Sequence, residues 1–170
     1  LVREKPRINV NTDRLAALGL RPDAWLQAVK IPQADEAPTL EIDGKTYLLA
    51  DLRRELLIET PGQSLAYLTD FLMDQQAQER LASALQGCTT IICESQYRHT
   101  DRELAARNYH MTATQAAELA RRANAQQLIL FHLSDRYTKD DWRGLLDEAR
   151  AIFSNTSFPD GWLKFIPSSP

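Results

Sequence analysis

Leu65-Ala66-Tyr67-Leu68-Thr69-Asp70, Thr90-Ile91-Ile92-Cys93-Glu94 and Leu128-Ile129-Leu130-Phe131-His132 decide the fold of this chain. Each is a short apolar run of the length a buried strand needs. Each ends on a charged or coordinating side chain: Asp70, Glu94 or His132. Strands of one sheet stop at a shared rim, and the ligand sites of α/β sheets lie at such rims. A further group, His110, stands at the start of a strong helical pattern.

Outward from these runs the pattern alternates. Strands are expected over Ser64–Thr69, Cys88–Cys93 and Gln127–Leu133. Residues 75–86 put Ala77, Leu81 and Leu85 on one helical face. The polar, arginine-bearing stretch Gln96–Asn108 follows the second strand. Thr112 and Gln115 form a capping box ahead of Ala116, Ala117, Leu119 and Ala120. Asp141–Ile152 spaces Trp142, Leu145, Leu146 and Ala149 for one face. Strand, helix, strand, helix, strand, helix favours an α/β layered domain.

The upstream residues are more broken. A helix is expected over Thr12–Leu18, capped by Asn11 or Thr12 and closed by Gly19. Another is expected near Asp23–Val29, after Pro22. Pro32 and Pro38 bracket a loop. Leu40–Ile42 and Thr46–Leu49 flank Asp43-Gly44, a good hairpin turn. Leu56–Glu59 is strand-like, and Pro61-Gly62 predicts a second hairpin joining it to Ser64–Thr69.

A chain of 170 residues with 44% hydrophobic content can bury a substantial core and is one ordinary domain or a large part of one. The net charge of −3 argues against broad coating of nucleic acid. Locally the balance differs: between Tyr97 and Arg122, five arginines face Asp101, Glu103 and Glu118. The two cysteines, Cys88 and Cys93, are too few for a disulfide framework, and they read as reduced thiols. No stretch reaches the length of a membrane span and no signal peptide is visible, so no membrane partner and a cytoplasmic location are expected.

A strand-end Asp can bridge two small cations about 3.5–4 Å apart, and imidazole favours zinc over magnesium. Asp70 and His132 suit those parts. Each also has a plain structural reading, a turn or cap for Asp70 and a hydrogen-bonded neutral imidazole for His132. Tetrahedral zinc needs four ligands, or three and water, so these two residues do not complete a site. His110 precedes a helix N-terminus, where anions are favoured. There it could contact a phosphate and protonate a leaving oxygen. It could equally be a surface histidine. Glu94 could hold an imidazole from behind, or make a salt bridge at a strand edge. Arg136 and Tyr137 could clamp a phosphate and stack a base.

Four segments resemble the ribonuclease Z family, zinc phosphodiesterases that remove 3′ trailers from precursor transfer RNA. They are Tyr67-Leu68-Thr69-Asp70, Cys93-Glu94-Ser95, Tyr109-His110-Met111-Thr112 and Phe131-His132-Leu133-Ser134-Asp135-Arg136-Tyr137. The corresponding family segments are an aromatic-plus-Asp strand end, His-Glu-Ala-Thr, Gly-His-Ser-Thr and Thr-His-x-Ser-x-Arg-Tyr. Residues 1–63 are similar too, through Leu18-Gly19-Leu20-Arg21-Pro22 and the Asp43-Gly44 turn. The resemblance implies a metallo-β-lactamase-like αββα sandwich, with residues 1–170 as a single C-terminal portion of it.

It further implies that Asp70 and His132 are metal ligands, with two zinc ions in the complete enzyme. His110 becomes a catalytic contact to the phosphate or leaving group, and Glu94 supports it. Ser134, Arg136 and Tyr137 bind substrate. The implied reaction is phosphodiester hydrolysis of RNA, with precursor transfer RNA as the expected partner.

The sequence also departs from the family. Cys93 replaces a His, Met111 replaces a Ser, and Phe71 follows Asp70 where Thr is frequent. The family's His-x-His-x-Asp-His signature does not occur, and the only histidines are His99, His110 and His132. The missing N-terminal half of the enzyme is therefore an expected partner, and this chain alone is expected to be inactive. A partial sandwich exposes apolar surface and invites pairing, so a homodimer is a further expectation. Two other classes fit the residues: a metallo-β-lactamase-fold hydrolase of another phosphodiester or ester, and a non-catalytic binding or interface domain.

Overall fold

Alternation along the three apolar runs builds the sheet. Ala66, Ile91, Cys93, Leu128 and Leu130 are buried, while Leu65, Tyr67, Ile92 and Ile129 between them are more open. A period of two puts each set on its own face of a strand. A computed structural model describes residues 1–31 and 39–162. The expected loop between Pro32 and Pro38 lies outside the described residues.

In chain order the elements begin with β1 (Val2–Arg3), β2 (Arg7–Val10), α1 (Thr12–Ala17), α2 (Trp25–Lys30), β3 (Thr39–Ile42) and β4 (Lys45–Leu48). Next come α3 (Leu49–Leu56), β5 (Leu57–Thr60), β6 (Ser64–Leu68), α4 (Gln75–Ala84) and β7 (Thr90–Glu94). After a 3₁₀ turn at His99–Asp101 follow α5 (Arg102–Arg107), α6 (Ala113–Arg122), β8 (Gln127–Phe131), α7 (Lys139–Arg150) and β9 (Thr156–Ser157). The chain divides into two compact units: Lys5–Gly62, and Leu1–Glu4 with the residues from Gln63 onward.

The second of these is the α/β layer expected from sequence. Its sheet has the order β1-β6-β7-β8-β9. β6 to β9 run parallel, and β1 lies antiparallel along β6. Parallel neighbours need crossovers, which α4, α6 and α7 supply. Leu68 is in register with Cys93, and Glu94 with Phe131, so the strands finish together. Ala113, Ala116, Ala117 and Ala120 are fully buried in α6, and such small side chains let a helix lie close to a sheet. Leu119, Leu128, Leu130 and Leu145 fill the layer between. Truncating one of these leucines to alanine costs about 2–5 kcal/mol. The capping box at Thr112 and Gln115 is present, with Gln115 N donating to Thr112 Oγ1 at 3.2 Å and Thr112 N to Gln115 Oε1 at 2.9 Å.

In the Lys5–Gly62 unit, β2 pairs with β5 and β3 with β4. The expected Asp43-Gly44 hairpin forms, with φ of 51° and 73° at those residues, as a two-residue turn of the primed type requires. Asn11 caps α1 by accepting from Arg14 N at 3.0 Å. Leu49, Leu52 and Leu56 of α3 pack on Leu15, Leu20, Val29 and Ile42. Arg53 donates to the carbonyls of Ala28, Val29 and Ile31, which closes the end of α2.

The structure corrects the sequence reading here. The second hairpin does not form: β5 pairs with β2 while β6 pairs with β1 and β7. A more distant antiparallel partner satisfies each strand, so Pro61-Gly62 is a passage between ladders rather than their turn. Helix α3 fills the gap between the expected strands Thr46–Leu49 and Leu56–Glu59, where no element is expected from sequence. Its leucines at i, i+3 and i+7 carry a helical period that the neighbouring Tyr47-Leu48 and Leu57-Ile58 obscure.

Candidate metal centre

At the rim where β6, β7 and β8 end, four side chains meet. Asp70, Glu94, His110 and His132 bring candidate ligand atoms within 4.8 Å of one another. They are the one candidate metal-ligand cluster among the described residues. Asp70 and His132 each follow a strand and turn sharply, with φ of 56° in both. Left-handed backbone is uncommon outside glycine, and Asp and His are among the types found there more often.

Glu94 is the last residue of β7 and is wholly buried. Beyond it the chain stays extended. Ser95 N donates to Phe131 O at 2.9 Å, and Ala113 N to Tyr97 O at 3.0 Å. The second bond lays the His110–Thr112 segment beside Gln96-Tyr97 and so carries His110 to the rim.

One carboxylate oxygen organises both imidazoles. Glu94 Oε2 accepts from His110 Nδ1 at 2.7 Å and from His132 Nδ1 at 3.2 Å. Asp70 Oδ1 lies 3.8 Å and 3.6 Å from the same two nitrogens. The two rings meet edge to face, 5.2 Å apart. Glu94 Oε1 is buried without a hydrogen-bond partner, a costly position for a carboxylate oxygen unless something cationic or protic faces it. Thr69 Oγ1 donates to Asp70 Oδ2 at 2.7 Å.

This donor set suits zinc, which takes imidazole nitrogen and carboxylate oxygen. In neutral His132 a Nδ1–H bonded to Glu94 leaves Nε2 with the lone pair. That Nε2 accepts from Gln96 Nε2 at 3.2 Å, a half-buried amide contact that a cation would displace.

Beneath the site lies Cys93, whose thiol burial and the adjacent Glu94 push strongly toward the neutral form. Its Sγ touches Met111 Sδ at 3.4 Å. The loop after His132 is tied down. Ser134 N donates to Gln96 O at 3.2 Å, and Arg136 N to Ser134 Oγ at 3.4 Å. Arg136 lies over the Tyr97 ring, and Tyr137 donates its hydroxyl to Asp101.

Sequence reasoning missed Gln96, Tyr97, Asp101 and Asn108. Asn108 Nδ2 donates to Tyr97 OH at 2.8 Å, and the Tyr97 ring stands 6.3 Å from that of His110. The available signal is alternation: Glu94 and Gln96 share a face of an extended segment, which its polar composition disguises as a connection.

The family described as Beta-lactamase superfamily domain matches residues 49–133. Ribonuclease Z of Deinococcus radiodurans is 48% identical over 164 residues, covering 96% of this chain and 48% of that protein. Ribonuclease Z of Anoxybacillus flavithermus is 32% identical over 153 residues, covering 90% of this chain and 46% of that protein. The crystal structure of the metallo-beta-lactamase fold protein YhfI from Bacillus subtilis overlaps 55% of this chain and 35% of its own, with a TM-score of 0.47 and 20% identity.

The chain belongs to the beta-lactamase superfamily, with a metallo-β-lactamase-like α/β sandwich fold. Over most of its length it is highly similar to ribonuclease Z, and it spans about half the length of the curated relatives it matches. Among the described residues no helix is long and apolar enough to cross a membrane.

Proposed function

We propose that this chain carries part of the active site of a zinc-dependent phosphodiester hydrolase of the ribonuclease Z type. The observation that supports it is the convergence of Asp70, Glu94, His110 and His132 at one strand rim, in a chain so similar to proteins of that name. The substrate is RNA, with precursor transfer RNA favoured, and cleavage releases a 3′ trailer in the cytoplasm. Asp70 and His132 are the metal ligands, and the complete enzyme holds two zinc ions. Other ligands and the base that activates water come from an N-terminal portion outside this chain, for which these residues are the C-terminal partner. Pairing with that portion or with a second copy also covers apolar surface such as Leu65 and Tyr67, both exposed on the sheet.

When bound, zinc supplies Lewis acidity and charge neutralisation at phosphorus. The chain's own residues do the rest. Glu94 orients His110 through Nδ1. That leaves Nε2–H to face the substrate, where it gives its proton to the departing 3′ oxygen. Ser134 and Arg136 form the substrate-binding edge, with Arg136 presenting charge to a phosphate and Tyr137 held behind them by Arg98 and Asp101.

The test pairs metal analysis with turnover on the same variants of the complete protein. His110→Ala should slow cleavage by roughly 10²–10⁴ while zinc content holds. His132→Ala should lose zinc and activity together. Loss of zinc from the His110 variant, with both ions kept by the His132 variant, reverses the two roles. Cleavage of small diesters with precursor transfer RNA left intact points to the same fold acting on another substrate.

A further inference from the structure

The loop after β8 carries a guanidinium that is held without being consumed. Arg136 Cζ stands 5.7 Å from the centre of the Tyr97 ring, within cation–π reach. Arg136 Nη1 is 3.8 Å from Asp101 Oδ1, beyond hydrogen-bonding distance. A carboxylate beside an arginine commonly closes a two-bond fork. Here the second oxygen, Asp101 Oδ2, is taken by the Tyr137 hydroxyl.

That hydroxyl is itself fixed, since it accepts from Arg98 N at 3.0 Å. Arg98 is anchored in turn: its Nε donates to Glu148 Oε1 at 2.9 Å, and His99 N donates to Glu148 Oε2 at 2.9 Å. Its guanidinium lies across Gly144, where an added methyl group would sit 3.1 Å from Arg98 Nη2. Helix α7 thus holds Arg98, Arg98 holds the tyrosine hydroxyl, and the hydroxyl holds one arm of Asp101.

We propose that Tyr137 is a positioning residue whose hydroxyl keeps Asp101 from closing a bidentate pair with Arg136, so that the guanidinium, steadied on the Tyr97 ring, keeps its donors for a substrate phosphate. This rests on the phosphodiester reading above. It makes Asp101 a restrained neighbour of the guanidinium rather than its two-bond partner. Arginine has five N–H donors, and in this arrangement Asp101 engages none at bonding distance.

Two measurements test it. In zinc-loaded complete protein cleaving precursor transfer RNA, Tyr137→Phe frees Asp101. KM should rise about three- to tenfold with kcat nearly unchanged. Adding Asp101→Asn should restore KM, because an amide cannot form the charged fork. In an Arg136→Ala background, Tyr137→Phe should add nothing.

The second measurement is proton exchange at the Arg136 guanidinium Nη groups in this chain, read by nuclear magnetic resonance without any turnover. Exchange should slow in Tyr137→Phe and recover when Asp101→Asn is added. An equal KM rise in the Arg136→Ala background, or unchanged exchange in Tyr137→Phe, overturns the proposal. Failure of the wild-type protein to cut any RNA or small diester would instead count against the phosphodiester reading, and the exchange result would still decide whether Tyr137 restrains Asp101.

Discussion

Tyr109 stands at φ 60° immediately before His110, where the resembling family carries glycine. A left-handed conformation costs an L residue about 1–2 kcal/mol. Replacing alanine by glycine elsewhere costs about 0.4–1 kcal/mol through the unfolded chain. The difference predicts a reversal: Tyr109→Gly should be more stable than Tyr109→Ala by about 0.5–1 kcal/mol. Comparing these two cancels the loss of the ring, which is 67% exposed and keeps some packing.

The assay is urea unfolding with chelator present, in a Trp25→Phe background. The remaining tryptophans, Trp142 and Trp162, then report the unit that contains the site. With a slope of about 2 kcal/mol per molar urea, the midpoints should differ by roughly 0.3–0.5 M. An alanine variant as stable as the glycine variant would refute the assigned strain. It would also mean that the backbone at this position relaxes when the ring is removed.

Cys93→His should cost about 1–3 kcal/mol by overpacking against Met111, and Met111→Ser should recover part of it. Urea midpoints of both singles and the double give the coupling, and simple additivity would show that the two sites do not share space. Calorimetric titration of this chain alone with zinc should show weak binding or none. Stoichiometric submicromolar zinc, abolished by Asp70→Ala, would show that two ligands were too few a count. Burial and the bond to Asp101 raise the Tyr137 phenol above its ordinary range. A raised folded value contributes stability that is complete below about pH 10 and is lost as pH rises further. Ultraviolet titration should show that Tyr137→Phe removes a late-ionising phenol, and loss of an ordinary one would contradict this.

The sheet and the site were legible because burial and chemistry used the same short runs. Ile91, Cys93, Leu128 and Leu130 had to be apolar to pack under α6 and α7. Asp70, Glu94 and His132 then stood out as the charged or coordinating residues that end those runs. What could not be read were pairings set by distant partners. Nothing near Leu57–Thr60 announces that Arg7–Val10 is its mate. Side-chain networks were hidden for the same reason: Arg98 and Glu148 are fifty residues apart in sequence, and no local period links them.

The departures from the family pattern make more sense in space than in sequence. Cys93 and Met111 look like two unrelated losses, one in each of two motifs. In the structure they are a single buried contact, at 3.4 Å. A volume change on one side is met by the other, as close packing requires, and the neutral thiol brings no second charge beneath Glu94. Above this contact both imidazoles sit on one carboxylate oxygen. The backbone is left-handed at Asp70, at His132 and just before His110. Such backbone costs about 1–3 kcal/mol per residue and persists only where its surroundings over-determine it. The buried layer below the rim supplies that determination.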